Sequence, residues 1–215
     1  MAKKDRDGRR RGREYSKRRV PDLGYYFVVT DTNATEENYL VGLRDSLPDR
    51  LKGRIVIKVS KSKTANLVES CKAQAVLEPQ FGEPWIVFDR DQVSDFDEII
   101  IRAEKEGIGV GWSNPCIEIW FDAYFGQMHG YHDSRQCWHR FAETYERKTG
   151  LEYDKADTKI YEILNRYGDE KKAIEIAEKR LQTHISCGNT KPSEMVPATT
   201  LHLLVEEIRV KTDKE

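Results

Sequence analysis

Four short apolar runs recur in the first half of the chain, and what separates them decides the fold class. Gly24-Tyr-Tyr-Phe-Val-Val-Thr30, Arg54-Ile-Val-Ile-Lys-Val59, Pro84-Trp-Ile-Val-Phe-Asp89 and Ile108-Gly-Val-Gly-Trp112 are rich in β-branched and aromatic residues and too short for helices. Between them lie stretches of helical character, from Glu36 to about Leu47, from Ala65 to Leu77 and from Ser94 to Glu106. Thr35 stands where it can N-cap the first, Glu36 and Glu37 follow where the helix dipole favours anions, and Pro48 marks the end. Ser94-Asp-Phe-Asp97 reads as a capping-box-like start for the third, closed by Gly107. Strands separated by helices need crossover connections, so the alternation predicts an α/β fold around a four-stranded, mostly parallel sheet flanked by helices. Asn114-Pro115 opens another helix with proline in its first position, and Cys116 to Phe125 is so apolar that it must pack on the core.

Residues 127–150 carry no clear period. From Lys155 to Ile185 and from Pro197 to Lys211 helical spacing returns, as in Ile160, Ile163, Leu164 and Tyr167. The expected organisation is therefore a basic arm over 1–20, an α/β domain over 21–126, and a helical C-terminal extension over 127–215 packed on it. With 215 residues, 38% of them hydrophobic, the chain can build such a core without staples. No apolar run reaches the roughly 18 residues of a membrane helix and the start lacks a signal-peptide core, so a cytoplasmic location without membrane partners is expected. Cys71, Cys116, Cys137 and Cys187 form no C-x-x-C pair and read as reduced thiols.

The net charge of −1 hides an asymmetry: ten basic residues, among them Arg9, Arg10, Arg11, Arg13, Lys17, Arg18 and Arg19, face three acids in the first nineteen positions. The arm thus carries +7 and the body −8. Such an arm can lie along phosphates and gain affinity by releasing counterions, or it can be a solvated tail without a partner.

Open parallel sheets bind ligands beyond the carboxyl ends of their strands, and two strands here end in acids. The first runs into Asp31 and the third into Asp89-Arg90-Asp91. If the chain stays extended through Asp91, residues 89 and 91 point to one side. Paired carboxylates repel unless a hard cation lies between them, and oxygen-only ligation suits Mg²⁺ or Mn²⁺. The plain alternative is a pair of turn-capping aspartates. Asp31 is likewise a turn residue or a third ligand, and Glu36 a first-turn acid or a ligand reaching back. Glu118, among Cys116, Ile117, Ile119, Trp120 and Phe121, needs a partner or a raised pKa. His129, His132, Cys137 and His139 do not follow a standard zinc spacing and read as surface or interface residues. No P-loop motif occurs, so any ATPase would be a partner encoded alongside.

Tyr25-Tyr-Phe-Val-Val-Thr-Asp31, Thr35-Glu-Glu-Asn-Tyr39, Val87-Phe-Asp-Arg-Asp91 and Trp112-Ser-Asn-Pro-Cys-Ile-Glu-Ile-Trp120, in this order, resemble the RloB family of prokaryotic defence loci, to which the AbiLii type belongs. Pro197 to Ile208 resembles its closing helix. That family is similar to Toprim domains, which place a glutamate after the first strand and a D-x-D after the third around Mg²⁺. By this resemblance Asp89 and Asp91 take the D-x-D role, Glu36 takes the acid of the T-E segment, Asn114 and Glu118 fill polar positions of the fourth segment, and the metal's further acid comes from Asp31 or Glu36. Where the family has glutamate-glycine at the first strand end, this chain has Asp31-Thr32, a shorter ligand on a stiffer turn. The resemblance implies a Mg²⁺-dependent nuclease acting on DNA or RNA, tRNA among the candidates, in antiphage defence. The alternative is a catalytically weakened nucleic-acid or partner-binding subunit.

Overall fold

The computed structural model describes residues 26–31, 34–60, 63–77, 80–91, 93–131 and 133–212; the basic arm, Thr32 and His132 lie outside them. The first strand, β1 (Tyr26–Thr30), is followed by α1 (Thr35–Asp45), the short α2 (Asp49–Lys52) and β2 (Ile55–Val59). After a 3₁₀ turn at Thr64–Asn66 come α3 (Leu67–Leu77), β3 (Glu83–Asp89), α4 (Phe96–Lys105) and β4 (Gly109–Asn114). The rest is α5 (Glu118–Tyr124), α6 (Ser134–Thr149), α7 (Ile160–Tyr167), α8 (Glu170–Ser186), the two-residue β5 (Ala198–Thr199) and α9 (Leu201–Thr212).

The sheet runs in the order β2-β1-β3-β4-β5. The first four strands are parallel, as the alternation predicts, and β5 adds an antiparallel edge that corrects the expected count of four to five. Nothing in two residues could announce that strand. It forms because Thr199 and Ser113 exchange a side-chain hydrogen bond at 3.1 Å and Thr200 Oγ1 accepts from the Trp112 backbone at 3.0 Å.

Strand alternation sorts the core into two faces. Tyr26, Val28 and Val87 meet α1, α5 and α9 through Leu43, Trp120 and Leu204. Phe27, Val29, Ile86 and Phe88 meet α3 and α4 through Val68, Phe96 and Ile99. The first of these clusters continues without a break into Phe141, Ile160 and Ala177, so the C-terminal helices are packed on the sheet's own core.

Four local expectations are corrected. Thr35 does not cap α1 but is its first residue, and its hydroxyl donates to the Lys155 carbonyl at 3.1 Å, 120 residues away. Asp95, without a side-chain cap, precedes α4 where a capping box was expected at Ser94. Pro115 does not open a helix; α5 starts at Glu118, because the intervening backbone is used elsewhere, the Pro115 carbonyl accepting from Asp91 N–H at 3.0 Å. The helical stretch after Lys155 is two helices, split at Gly168, where a Cβ would stand 2.7 Å from the Tyr124 carbonyl.

Helix α1 crosses α7 at Gly42. A Cβ there would lie 2.4 Å from Tyr161 Cβ, an atom fixed to its backbone. In an open helix Gly→Ala gains up to about 1 kcal/mol. Here the sign reverses: Gly42→Ala is expected to cost about 2 kcal/mol and to lower the thermal midpoint by roughly 4–8 °C. An unchanged midpoint in a calorimetric scan would show that the two helices are not in this contact.

Candidate functional site

The strand order places a switch point between β1 and β3, since the chain crosses from β1 to β2 in one direction and from β2 to β3 and on to β4 in the other. A crevice opens at the carboxyl ends there. A cavity of about 860 Å³ occupies it, lined by Asp31 from the end of β1, Glu36 from α1, Asp89 and Asp91 from the end of β3, and Glu118 from the start of α5. Five acids separated by up to 87 positions in sequence thus share one pocket.

Each is held differently. The third strand stops at Asp89, and Asp91 has φ +24°, so the chain does not stay extended through the D-x-D as the sequence reading supposed. A positive φ is uncommon for a residue with a Cβ and costs energy that the surroundings must supply. The clamp is visible: Arg90 N–H donates to Ser113 at 2.8 Å, Asp91 N–H to Pro115 at 3.0 Å, and the Asp91 carboxylate accepts from the Ser134 hydroxyl. The Asp89 carboxylate accepts Ile117 N–H at 3.0 Å. Asp31 accepts from the Thr64 hydroxyl at 2.7 Å through Oδ2, while its Oδ1 is buried without a hydrogen-bond partner among the described residues.

Crowding shows in the acidities. Burial pushes the Asp89 carboxyl well above the usual range, and the charges of Glu36, Glu118 and Asp31 push it further, against the Ile117 hydrogen bond. Burial raises Asp31 too, offset by Thr64 and reinforced by Asp91. Glu36 and Glu118 are 4% and 1% exposed. Glu118 Oε1 meets Lys155 Nζ at 3.1 Å and the Tyr153 hydroxyl at 3.2 Å, and its Oε2 is buried without a hydrogen-bond partner among the described residues. Burial works against the Lys155 charge, but Glu118 outweighs it and holds the ammonium above its ordinary pKa.

The remaining sequence candidates lie elsewhere. The Asn114 amide donates to the Pro192 and Ser193 carbonyls at 3.0 and 3.1 Å, tying β4 to the turn before β5. Cys137 is buried and packs in the core with Cys116, His139 is exposed, and His129 bonds Gln127 at 3.2 Å. Sequence reasoning missed Thr64, Ser134, Arg135, Trp138 and Lys155, which complete the pocket. No local signal marks them, because α6 and the segment before α7 reach the site only through the tertiary fold.

The donors are hard oxygens, and the buried, unpartnered Asp31 Oδ1 and Glu118 Oε2 are atoms that a small divalent cation would satisfy. Among the described residues no three His, Cys, Asp or Glu side chains are arranged to hold a metal ion as they stand. Mg²⁺ does not need that, since it is typically held by one or two carboxylates together with water and a substrate phosphate. In chemistry the residues fit such an ion.

Among the described residues no helix is long and apolar enough to cross a membrane. No curated protein and no solved structure matches the chain. The family model for RloB-like proteins matches residues 26–208, a span that holds every strand and helix of the pocket. On that match the chain belongs to the RloB-like protein family.

Proposed function

We propose that the protein is a Mg²⁺- or Mn²⁺-dependent nuclease of Toprim type, acting on nucleic acid in antiphage defence. The observation that carries the reading is the convergence of Asp31, Glu36, Asp89, Asp91 and Glu118 at a sheet switch point, close enough that three of them suppress the acidity of Asp89. Structural aspartates at turns have no reason to be gathered at such a cost. When bound, a divalent ion held by Asp31, Asp89 and Glu36 or Asp91 supplies charge neutralisation on a phosphodiester and a more acidic water. Glu118 keeps Lys155 oriented at the pocket wall, and Ser134 holds Asp91 in its strained backbone conformation. The RloB-like membership supports the defence setting, and without a P-loop the chain would draw on an ATPase partner for any nucleotide-driven step. The basic arm would add sequence-independent phosphate affinity.

A second reading, a nucleic-acid or partner-binding subunit with a weakened site, is favoured by Glu118, which is already neutralised by Lys155, and by the short Asp31 side chain. One assay separates the two: incubation with tRNA, single-stranded DNA and duplex DNA in Mg²⁺, in Mn²⁺ and in EDTA. Cleavage that needs the cation supports the nuclease; salt-sensitive binding that ignores it supports the subunit.

A further inference from the structure

Beside the acids, the same pocket has a lining of different chemistry, made by Ser134, Arg135 and Trp138 of α6 and by Lys155. Arg135 is exposed and Lys155 is half exposed, so their charges face incoming ligand. Lys155 Nζ also lies 6.0 Å from the centre of the Trp138 ring, within range of a cation–π contact. Trp138 is only half-buried, and its indole N–H is enclosed without a hydrogen-bond partner among the described residues.

Trp138 and Lys155 line a second cavity as well, of about 550 Å³, together with Glu152, Tyr153 and Asp154. The two side chains therefore form the shared wall between the acid pocket and its neighbour. A small ligand would need one compartment. A polymer with a phosphate at every repeat would use both, with one phosphate at the acids, the next near Lys155, and the intervening group on the indole.

Resting on the nuclease reading, we propose that Trp138 and Lys155 form a subsite that stacks one unpaired nucleobase next to the reacting phosphodiester, making the substrate a single strand or an unpaired loop. Inside a duplex both faces of a base are covered by its neighbours, so an indole cannot stack on it without unpairing. Lys155 offsets Glu118, and with Arg135 it reduces the negative charge that a phosphate meets on approaching the five acids. Arg135, on the turn of α6 before Trp138, extends that charge towards solvent.

The test uses the full-length protein and labelled twelve-nucleotide oligo-dT, oligo-U and a blunt DNA duplex of equal length, with affinity read by fluorescence anisotropy in EDTA and again in Ca²⁺. The single strands are expected to bind more tightly than the duplex, and Trp138→Leu to weaken them by about five-fold or more while Trp138→Phe retains most of the affinity. Leucine keeps the apolar bulk, and circular dichroism verifies that both variants fold. Lys155→Gln should weaken single-strand binding and lower its salt dependence by about one unit of log–log slope. Equal affinity for duplex and single strand, identical binding by the Leu and Phe variants, or no binding of either strand would overturn the subsite. Single-strand binding that depends on Trp138 with no cleavage in any cation would keep the subsite and remove the nuclease. Cation-dependent cleavage indifferent to Trp138 and to strandedness would do the opposite.

Discussion

Asp89→Asn is expected to abolish the proposed cleavage while making the protein harder to unfold in EDTA. The side chain is buried where Glu36, Glu118 and Asp31 also oppose its ionisation, so without a cation the fold must hold a proton that the unfolded chain gives up, a cost that a neutral amide of equal shape avoids. Asparagine can still accept from Ile117 N–H through its oxygen, so the local hydrogen bond at 3.0 Å survives. Relief of the crowding should stabilise by about 1–2 kcal/mol, as neutralising a functional acid commonly does. Losing one of the central oxygen donors should lower divalent-dependent cleavage by roughly a thousand-fold. The order of stabilities should then invert when Mn²⁺ is added. At about a hundred times its dissociation constant the ion stabilises a binding protein by about 2.7 kcal/mol, and only the wild type should respond. Melting curves in EDTA and in Mn²⁺ read this without any substrate. Cleavage that persists in both Asp89→Asn and Asp89→Ala, with normal circular dichroism, would remove Asp89 from the chemistry.

How far the fold could be read from the sequence follows from where the information is local. The strands at 26–30, 55–59 and 83–89 are short apolar runs bounded by polar turns, and their lengths leave no helical alternative. The parallel arrangement follows from the helices between them. The failures are equally physical. Helix α6 is Ser134–Thr149, yet its sequence places Arg135, Gln136, His139, Arg140 and Glu143 so densely that the few buried positions, Cys137, Phe141 and Tyr145, do not stand out. The Asn114-Pro115 pair has the composition of a helix start, but the Asp91 and Asp89 contacts recruit the backbone of residues 115–117 first.

The candidate site divides along the same line. Asp31, Asp89 and Asp91 are legible because each stands at or just beyond the end of a strand, where a parallel sheet presents its loops. Lys155 is not, because it joins the pocket through contacts that span the fold: the Lys155 carbonyl accepts from Thr35 at 3.1 Å and the next carbonyl, of Ala156, from Asn38 at 3.0 Å. These two bonds dock the segment before α7 on the first turns of α1. No spacing within residues 150–160 encodes a partner 118–120 positions away. The positive φ of Asp91 is hidden in the same way, since its cause is a carbonyl at Pro115 and a hydroxyl at Ser134.

One acid outside the pocket gives the second large effect. Asp122 lies one turn after Glu118 on α5, is 2% exposed, and has both carboxylate oxygens buried with no hydrogen bond of good geometry among the described residues. Burial pushes its pKa up to about 6, and the charges of His129 and Arg147 offset this only in part. The group prefers to keep its proton in the folded state and loses it near pH 4 in the unfolded chain. Between those two values the unfolded state sheds a proton that the native state retains, so stability is greatest below about pH 4 for this group and falls as pH rises through 6. The full difference is about 3 kcal/mol, from about 1.4 kcal/mol for each pH unit separating the two values. Other carboxylates titrate over the same range, so the informative quantity is the difference between the wild type and Asp122→Asn, which cannot ionise. Relative to that variant, the wild type is expected to lose about 3 kcal/mol between pH 4 and pH 8, or roughly 6–12 °C in thermal midpoint. The unsatisfied amide of the variant shifts its stability equally at every pH and leaves this slope untouched. A difference in midpoint that stays constant from pH 4 to pH 8 would mean that Asp122 is ionised in the folded protein, with His129 and Arg147 outweighing its burial.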